Sequence, residues 1–252
     1  MTPLKGQVAF VTGASSGIGR AAAIALAREG ADVAVLGRDR ARVDETAEQV
    51  SAHGVAALPL VADVCREEEI ETAVGRILER FGRIDIQIAS AGRGAARGPR
   101  AVVQLPLEEW EAIVDINLKG AFLSNRAVLP AMMKQRSGTI LNVSSARGGT
   151  VATPFAAAYS ASKRGLMGLT RALAEEMRPY NVRVLAVLPD ATDTPLIAAA
   201  PALAPHGKMT PRVVAELMVA MIVQPDDTFW SETRIAPFSG SAPPFSGPRN
   251  SG

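Results

Sequence analysis

Residues 12–19, reading Thr-Gly-Ala-Ser-Ser-Gly-Ile-Gly, constrain this chain more than any other stretch. They follow an apolar run over 7–11 and open an alanine-rich segment over 18–29, so they lie where a first strand hands over to a first helix. Glycines at such a junction permit a tight turn and let a ligand approach the backbone, because they carry no Cβ. The free N–H groups and positive dipole end of the following helix suit a pyrophosphate. The spacing is G-x-x-x-G-x-G, not the common dinucleotide fingerprint G-x-G-x-x-G. The turn alone therefore leaves the nucleotide reading open, and its partners downstream must decide.

Short apolar strands alternate with longer helical patterns through most of the sequence, which predicts an α/β fold with a parallel sheet and helices on both faces. Strands are expected near 7–12, 32–37, 56–61, 84–89, 139–143, 183–188 and 232–236. Helices are expected over 21–29, 40–53, 67–81, 107–134, 156–179 and 211–223. Right-handed crossovers would wind these seven strands in two directions, as in a doubly wound, Rossmann-type domain, and put the ligand beyond the carboxyl ends of the strands. No linker divides the chain, so residues 1–238 read as one domain. The final 239–252, rich in Ser, Gly and Pro, reads as a disordered tail.

Composition excludes other classes. Of the 252 residues 48% are hydrophobic, yet the apolar runs stay well below the roughly 18 residues of a membrane span. Residues 1–6 lack signal-peptide architecture, and the expectation is a cytoplasmic protein. Twenty-seven basic and 25 acidic residues are interspersed and give a net charge of +2, which offers no field for nucleic acid or an anionic membrane. One cysteine, Cys65, excludes an intrachain disulfide, and with only His53 and His206 beside it no metal site is expected.

The second strand ends in Gly37-Arg38. In a dinucleotide fold an acidic residue near this point takes the ribose 2′-hydroxyl, whereas an arginine accommodates a 2′-phosphate. Gly37 and Arg38 favour NADP(H) over NAD(H); the other reading makes Arg38 a surface residue and gives the ribose to Asp39. Asp63 closes the third strand, to meet the adenine edge or to cap the next helix. Ala91 and Gly92 follow the fourth strand, where small residues let the sheet pass close beneath a cofactor. Asn117 stands inside the 107–134 helical pattern, where its side chain competes with the backbone, which points to a functional or a kinking role. Tyr159 and Lys163, four apart on a helix, share a face. A neighbouring ammonium favours the phenolate and should lower the tyrosine pKa, making Tyr159 an acid or base.

Taken together, Thr12-Gly13-x-x-x-Gly17-Ile18-Gly19, Asp63-Val64, Asn117, Ser145, Tyr159-x-x-x-Lys163, and Pro189 followed by Thr194 resemble the short-chain dehydrogenase/reductase family over residues 4–236. The resemblance implies that Gly13, Ser15, Ser16, Gly17, Ile18, Gly19, Arg38, Asp63, Val64, Ala91, Gly92, Pro189 and Thr194 bind the cofactor. It implies that Tyr159 moves the proton and that Lys163 holds the nicotinamide ribose and lowers the tyrosine pKa. Ser145 would hydrogen-bond the substrate oxygen, Asn117 would support a proton-relay water, and Thr194 would contact the carboxamide. It also implies a substrate lid over 195–209 and a homodimer or homotetramer, for which Ala161, Gly165 and Gly168 offer close-packing faces.

The sequence departs from the family pattern at Ala89-Ser90, where Asn-Asn is usual, and at Asp190, where glycine is usual. The interval from Ser145 to Tyr159 is one residue longer than expected, which leaves Ser144 as a lesser candidate. The leading expectation is an NADPH-dependent reductase of an apolar ketone or aldehyde, 3-oxoacyl compounds included, or a dehydrogenase of the corresponding secondary alcohol. A serine hydrolase would need a nucleophile elbow and a placed histidine, and neither is evident. The alternative outside enzymology is a nucleotide-binding sensor or scaffold, motivated by Ala89, Ser90 and Asp190.

Overall fold

A computed structural model of the chain describes residues 2–94, 100–150, 153–199, 207–225 and 231–238. Seven parallel strands form one sheet: β1 (Val8–Thr12), β2 (Asp32–Gly37), β3 (Ala57–Val61), β4 (Ile86–Ala89), β5 (Gly138–Val143), β6 (Val182–Pro189) and β7 (Glu232–Ile235). Their order is β3-β2-β1-β4-β5-β6-β7. The chain builds outward from β1 to β3, then returns to lay β4 on the other side of β1, in register Thr12 with Ala89. That reversal opens a crevice at the carboxyl ends of β1 and β4, where an open α/β sheet binds its ligand.

The strands are continuous apolar runs because both faces are covered. All five residues of β1 are buried, and alternate ones serve opposite layers. Ala9 and Val11 pack with α1 (Gly17–Arg28), α2 (Arg40–Ser51) and α9 (Pro211–Ile222). Val8 and Phe10 pack with α3 (Glu67–Phe81) and α5 (Gly120–Gln135). Phe10 is fully enclosed, and removing its ring would cost about 3–5 kcal/mol. Helix α3 begins with Glu67, Glu68 and Glu69 on its positive dipole end and stops at Gly82, whose φ of 77° is left-handed.

The helix expected over 107–134 is interrupted. It divides into α4 (Leu107–Val114), a π-turn (Asp115–Lys119) and α5, with Asn117 buried inside the π-turn. Val64 supplies a reason for the residue that follows: a Cβ on Gly120 would stand 2.7 Å from Val64 Cγ2. The remaining elements are the short turn α6 (Ala146–Gly149), the long α7 (Ala157–Met177) and a single turn, α8 (Pro195–Ala198). Of the segment 195–209 expected as a lid, 195–199 and 207–209 are described and 200–206 lie outside the described residues, as does the expected tail at 239–252. Among the described residues no helix is long and apolar enough to cross a membrane.

Candidate active site

The glycine turn is shaped by contacts that tolerate no side chain. A Cβ on Gly13 would lie 2.6 Å from the nitrogen of Ala91, and one on Gly19 would lie 2.3 Å from the Gly13 carbonyl oxygen. Gly13 and Gly17 adopt positive φ, 67° and 55°. The Ser16 side chain does not cap α1, so the first N–H groups of this twelve-residue helix open toward the crevice. Arg20 staples the turn from behind, donating to the Ser15 carbonyl at 2.8 Å and to both oxygens of Glu45.

A cleft of about 710 Å³ runs from this turn along the carboxyl ends of the strands. It is lined by Gly13, Ser15, Ser16, Gly17, Ile18, Gly19, Arg38, Asp63, Val64, Ala91, Gly92, Ser145, Tyr159, Lys163, Pro189 and Thr194. Asn117 alone among the residues picked from sequence lies behind the wall. Its Oδ1 accepts from Arg93 N at 2.7 Å, and its Nδ2 donates to Arg93 O at 2.9 Å and to Ser162 Oγ at 3.0 Å. The side-chain amide therefore clamps the loop after β4, and the π-turn is what aims it there.

At the end of the cleft beside β2, Asp39 is the N-cap of α2, its Oδ1 accepting from Arg42 N at 3.2 Å. Arg38 reaches to 4.0 Å from Asp63 Oδ2 with its guanidinium mostly in solvent. Asp63 Oδ1 accepts from Cys65 N at 3.0 Å, while Arg66 is the N-cap of α3, so Asp63 shapes the approach to the helix without being its N-cap. Burial, reinforced by the Asp63 carboxylate, pushes the Cys65 thiol up to about 11.

At the other end, Ser145 hydrogen-bonds the Tyr159 hydroxyl, whereas Ser144 Oγ turns away to donate to Lys163 O at 3.2 Å. Gly148, with φ 83°, lets the α6 turn lie on the tyrosine: a Cβ there would stand 3.2 Å from Tyr159 Cδ1. Lys163 is buried, donates from Nζ to Val143 O at 2.8 Å, and sits 5.9 Å from the Tyr159 ring centre. Burial pulls its pKa down to about 8. The expected depression of the tyrosine pKa is reversed. Burial raises it, the Ser145 hydrogen bond offsets that only in part, and the ammonium is directed at a backbone carbonyl.

Both departures from the expected pattern are accommodated by neighbours. Ala89 pairs with Asn142 on β5, and Asn142 carries a buried polar chain in which Asn125 Nδ2 donates to its Oδ1 and its Nδ2 donates to Thr170 Oγ1, each at 3.0 Å. Asp190 turns its carboxylate to Arg147, with Oδ1 2.8 Å from Nε, and Arg234 stands 4.0 Å from Oδ2. Sequence reasoning missed Arg147, whose partner is 43 residues away. It also missed Arg42, Arg93, Arg100, Leu105 and Phe155, which line the cleft together with Leu196 of the segment expected as a lid. Arg42, one helical turn beyond Arg38, was the one with a readable spacing. Of the histidines, His53 follows α2 at the amino ends of the strands, opposite Ser145, and His206 lies outside the described residues.

The sequence profile of short chain dehydrogenases matches residues 7–202. An uncharacterized oxidoreductase of Staphylococcus saprophyticus is 37% identical over 94% of this chain and 100% of its own length. A 3-oxoacyl-[acyl-carrier-protein] reductase of Synechocystis is 39% identical over 75% of each chain. The crystal structure of a metagenomic short-chain oxidoreductase in complex with NADP superposes with a TM-score of 0.81 at 34% identity, covering 94% of this chain and 99% of that one. With a Rossmann-type sheet, a glycine-turn cleft and these relatives in agreement, the chain belongs to the short-chain dehydrogenase/reductase family of oxidoreductases.

Proposed function

We propose that this oxidoreductase uses NADP(H) to interconvert an apolar ketone or aldehyde with its alcohol, Tyr159 being the proton donor or acceptor. The observation that carries the reading is the Ser145–Tyr159 hydrogen bond, one helical turn from Lys163, in the cleft that begins at the glycine turn.

The cofactor would lie across Gly13, Ser15, Ser16, Gly17, Ile18 and Gly19, with Asp63 and Val64 toward the adenine and Ala91, Gly92, Pro189, Thr194 and Lys163 toward the nicotinamide. When bound it supplies the hydride donor or acceptor. Preference for the 2′-phosphate is supported at three positions. A side chain on Gly37 would stand 2.9 Å from Ser15 Cβ, which leaves no room there for a ribose-binding carboxylate. Asp39 is committed to its cap, and Arg38 is exposed at the strand end. The NADP complex of the metagenomic relative is in keeping with this.

Because burial keeps the phenol protonated at neutral pH, Tyr159 is set to give its proton to a carbonyl oxygen in the reducing direction. Ser145 would hold that oxygen, and Asn117 fixes the loop beside it. Oxidation needs the phenol to lose its proton and should rise as pH becomes alkaline. The relationship to a 3-oxoacyl-[acyl-carrier-protein] reductase keeps 3-oxoacyl compounds among the candidate substrates.

The test is NADPH consumption with a panel of apolar ketones and aldehydes, together with cofactor binding. Tyr159→Phe should keep NADPH affinity and lose turnover by about 10²-fold or more. Lys163→Ala should damage both. Equal turnover by wild type and Tyr159→Phe removes the assignment, and tight NADPH binding with no turnover on any carbonyl or alcohol favours the sensor.

A further inference from the structure

Among the described residues three arginines line the reacting half of the cleft, and they differ in what neutralises them. Arg147 is held by Asp190 at 2.8 Å. Arg93 and Arg100 are half-buried, and neither guanidinium has a carboxylate or hydrogen-bond acceptor among the described residues. Asp190 is the carboxylate at this end of the cleft, and both of its oxygens face arginines. Among the described residues the reacting end therefore carries more positive than negative side chains, while Leu105, Phe155 and Leu196 make its walls apolar.

The backbone fixes where these cations stand. Asn117 clamps both the N–H and the carbonyl of Arg93. On one side, a Cβ on Gly92 would lie 3.9 Å from Lys163 Nζ; on the other, a Cβ on Gly94 would lie 3.5 Å from Leu196. Arg93 thus springs from a rigid point between the lysine and α8. Arg100 N donates to Phe155 O at 2.9 Å, four residues before Tyr159. Phe155 holds a left-handed φ of 60° and an exposed ring at the same mouth, a conformation that a bulky residue seldom keeps without cause. A guanidinium partly removed from water and, among the described residues, lacking a partner is poised for charge-assisted hydrogen bonds to an anion.

We propose that the carbonyl substrate bears an anionic group, a carboxylate or a phosphate ester, which Arg93 and Arg100 bind at the end of the apolar wall. This rests on Tyr159 being the site of the reaction and narrows the substrate class from apolar to amphiphilic. Three matched ketones test it: one ending in a carboxylate, one in the methyl ester of that acid, one in a phosphate monoester. Wild type should prefer an anionic ketone over the ester by tenfold or more in kcat/KM, and the better of the two anions identifies the source of the charge. The pair Arg93→Gln and Arg100→Gln should bring that ratio near one, chiefly through KM, with NADPH affinity retained. Quenching of bound NADPH fluorescence by each ketone is read in the same proteins. Binding of the acid that the two substitutions leave unchanged overturns the proposal even where turnover is absent. An ester used as well as the acid by wild type, with Tyr159→Phe inactive, overturns the anion site and leaves the reading of Tyr159 intact. Loss of NADPH affinity on Arg93→Gln moves that arginine to the cofactor and also overturns the proposal.

Discussion

Arg147 Nε lies 2.8 Å from Asp190 Oδ1, so the turn after β5 that carries Ser145 is tied to the turn after β6 that leads to Thr194. The pair is largely shielded, the two side chains being 29% and 11% exposed, and Asp190 Oδ1 also accepts from Ala191 N at 2.8 Å. Asp190→Ala would leave Arg147 unpaired, at about 1–3 kcal/mol, and would let the Ser145 turn drift. Thermal melts and kcat of Arg147→Ala, Asp190→Ala and the double variant check this. Coupling above about 0.5 kcal/mol is expected, and simple additivity refutes it.

Lys163 should leave a signature in the pH dependence of stability. Its native pKa is about 8 against an ordinary 10.5. Below pH 8 the ammonium is present in both the folded and the unfolded chain. Between about 8 and 10.5 the unfolded chain holds the proton that the folded one has lost, so this residue makes stability rise with pH there. At about 1.4 kcal/mol per pKa unit the whole rise is a few kcal/mol. Denaturant titrations of wild type and Lys163→Met across that window should show the rise only in wild type; parallel curves would contradict the buried-ammonium account.

Cofactor preference should follow Arg38. Arg38→Ala is expected to weaken NADPH by about 1.5–3 kcal/mol, the range of a hydrogen bond to a charged group, and NADH far less. Titrating both dinucleotides into both proteins measures it. Tighter binding of NADH by wild type would reassign the ribose.

Self-association is expected through the outer face of α7. Gly165 faces inward, since a Cβ there would stand 2.8 Å from Leu118 Cδ2 of the π-turn. Ala161 and Gly168 are exposed, and nothing lies within 4 Å of the Cβ position of Gly168. The small-residue stripe therefore divides between the subunit interior and a surface suited to a second copy. Light scattering at micromolar concentration should give a dimer or tetramer, and Gly168→Trp should reduce its size. A wild-type monomer disposes of the idea.

Most of the architecture was readable because strands such as Val8–Thr12 and Val182–Pro189 must be apolar on both faces, and because the glycines at 13, 17 and 19 have steric duties. Every residue chosen for the cofactor lines the cleft, since strand ends and helix starts fix where those positions must fall. Local spacing carries no such constraint on long-range pairs. Asp190 stood out in the sequence, but its partner Arg147 is specified only by the juxtaposition of β5 and β6. Asn117 signalled a disturbance without saying of which kind, since apolar periodicity continues through the π-turn on both sides. The direction of the Tyr159 shift depends on how far burial outweighs the lysine, which no spacing encodes.

The π-turn at Asp115–Lys119 should set thermal robustness against turnover at a single point in the chain. Deleting one residue would restore an unbroken α-helix and turn the flanking segments by about 100° relative to one another, withdrawing Asn117 from Arg93. A library selected only for survival at high temperature should be drawn to that repair, whereas one selected for product formation should keep the irregularity. The better helix would belong to the poorer enzyme.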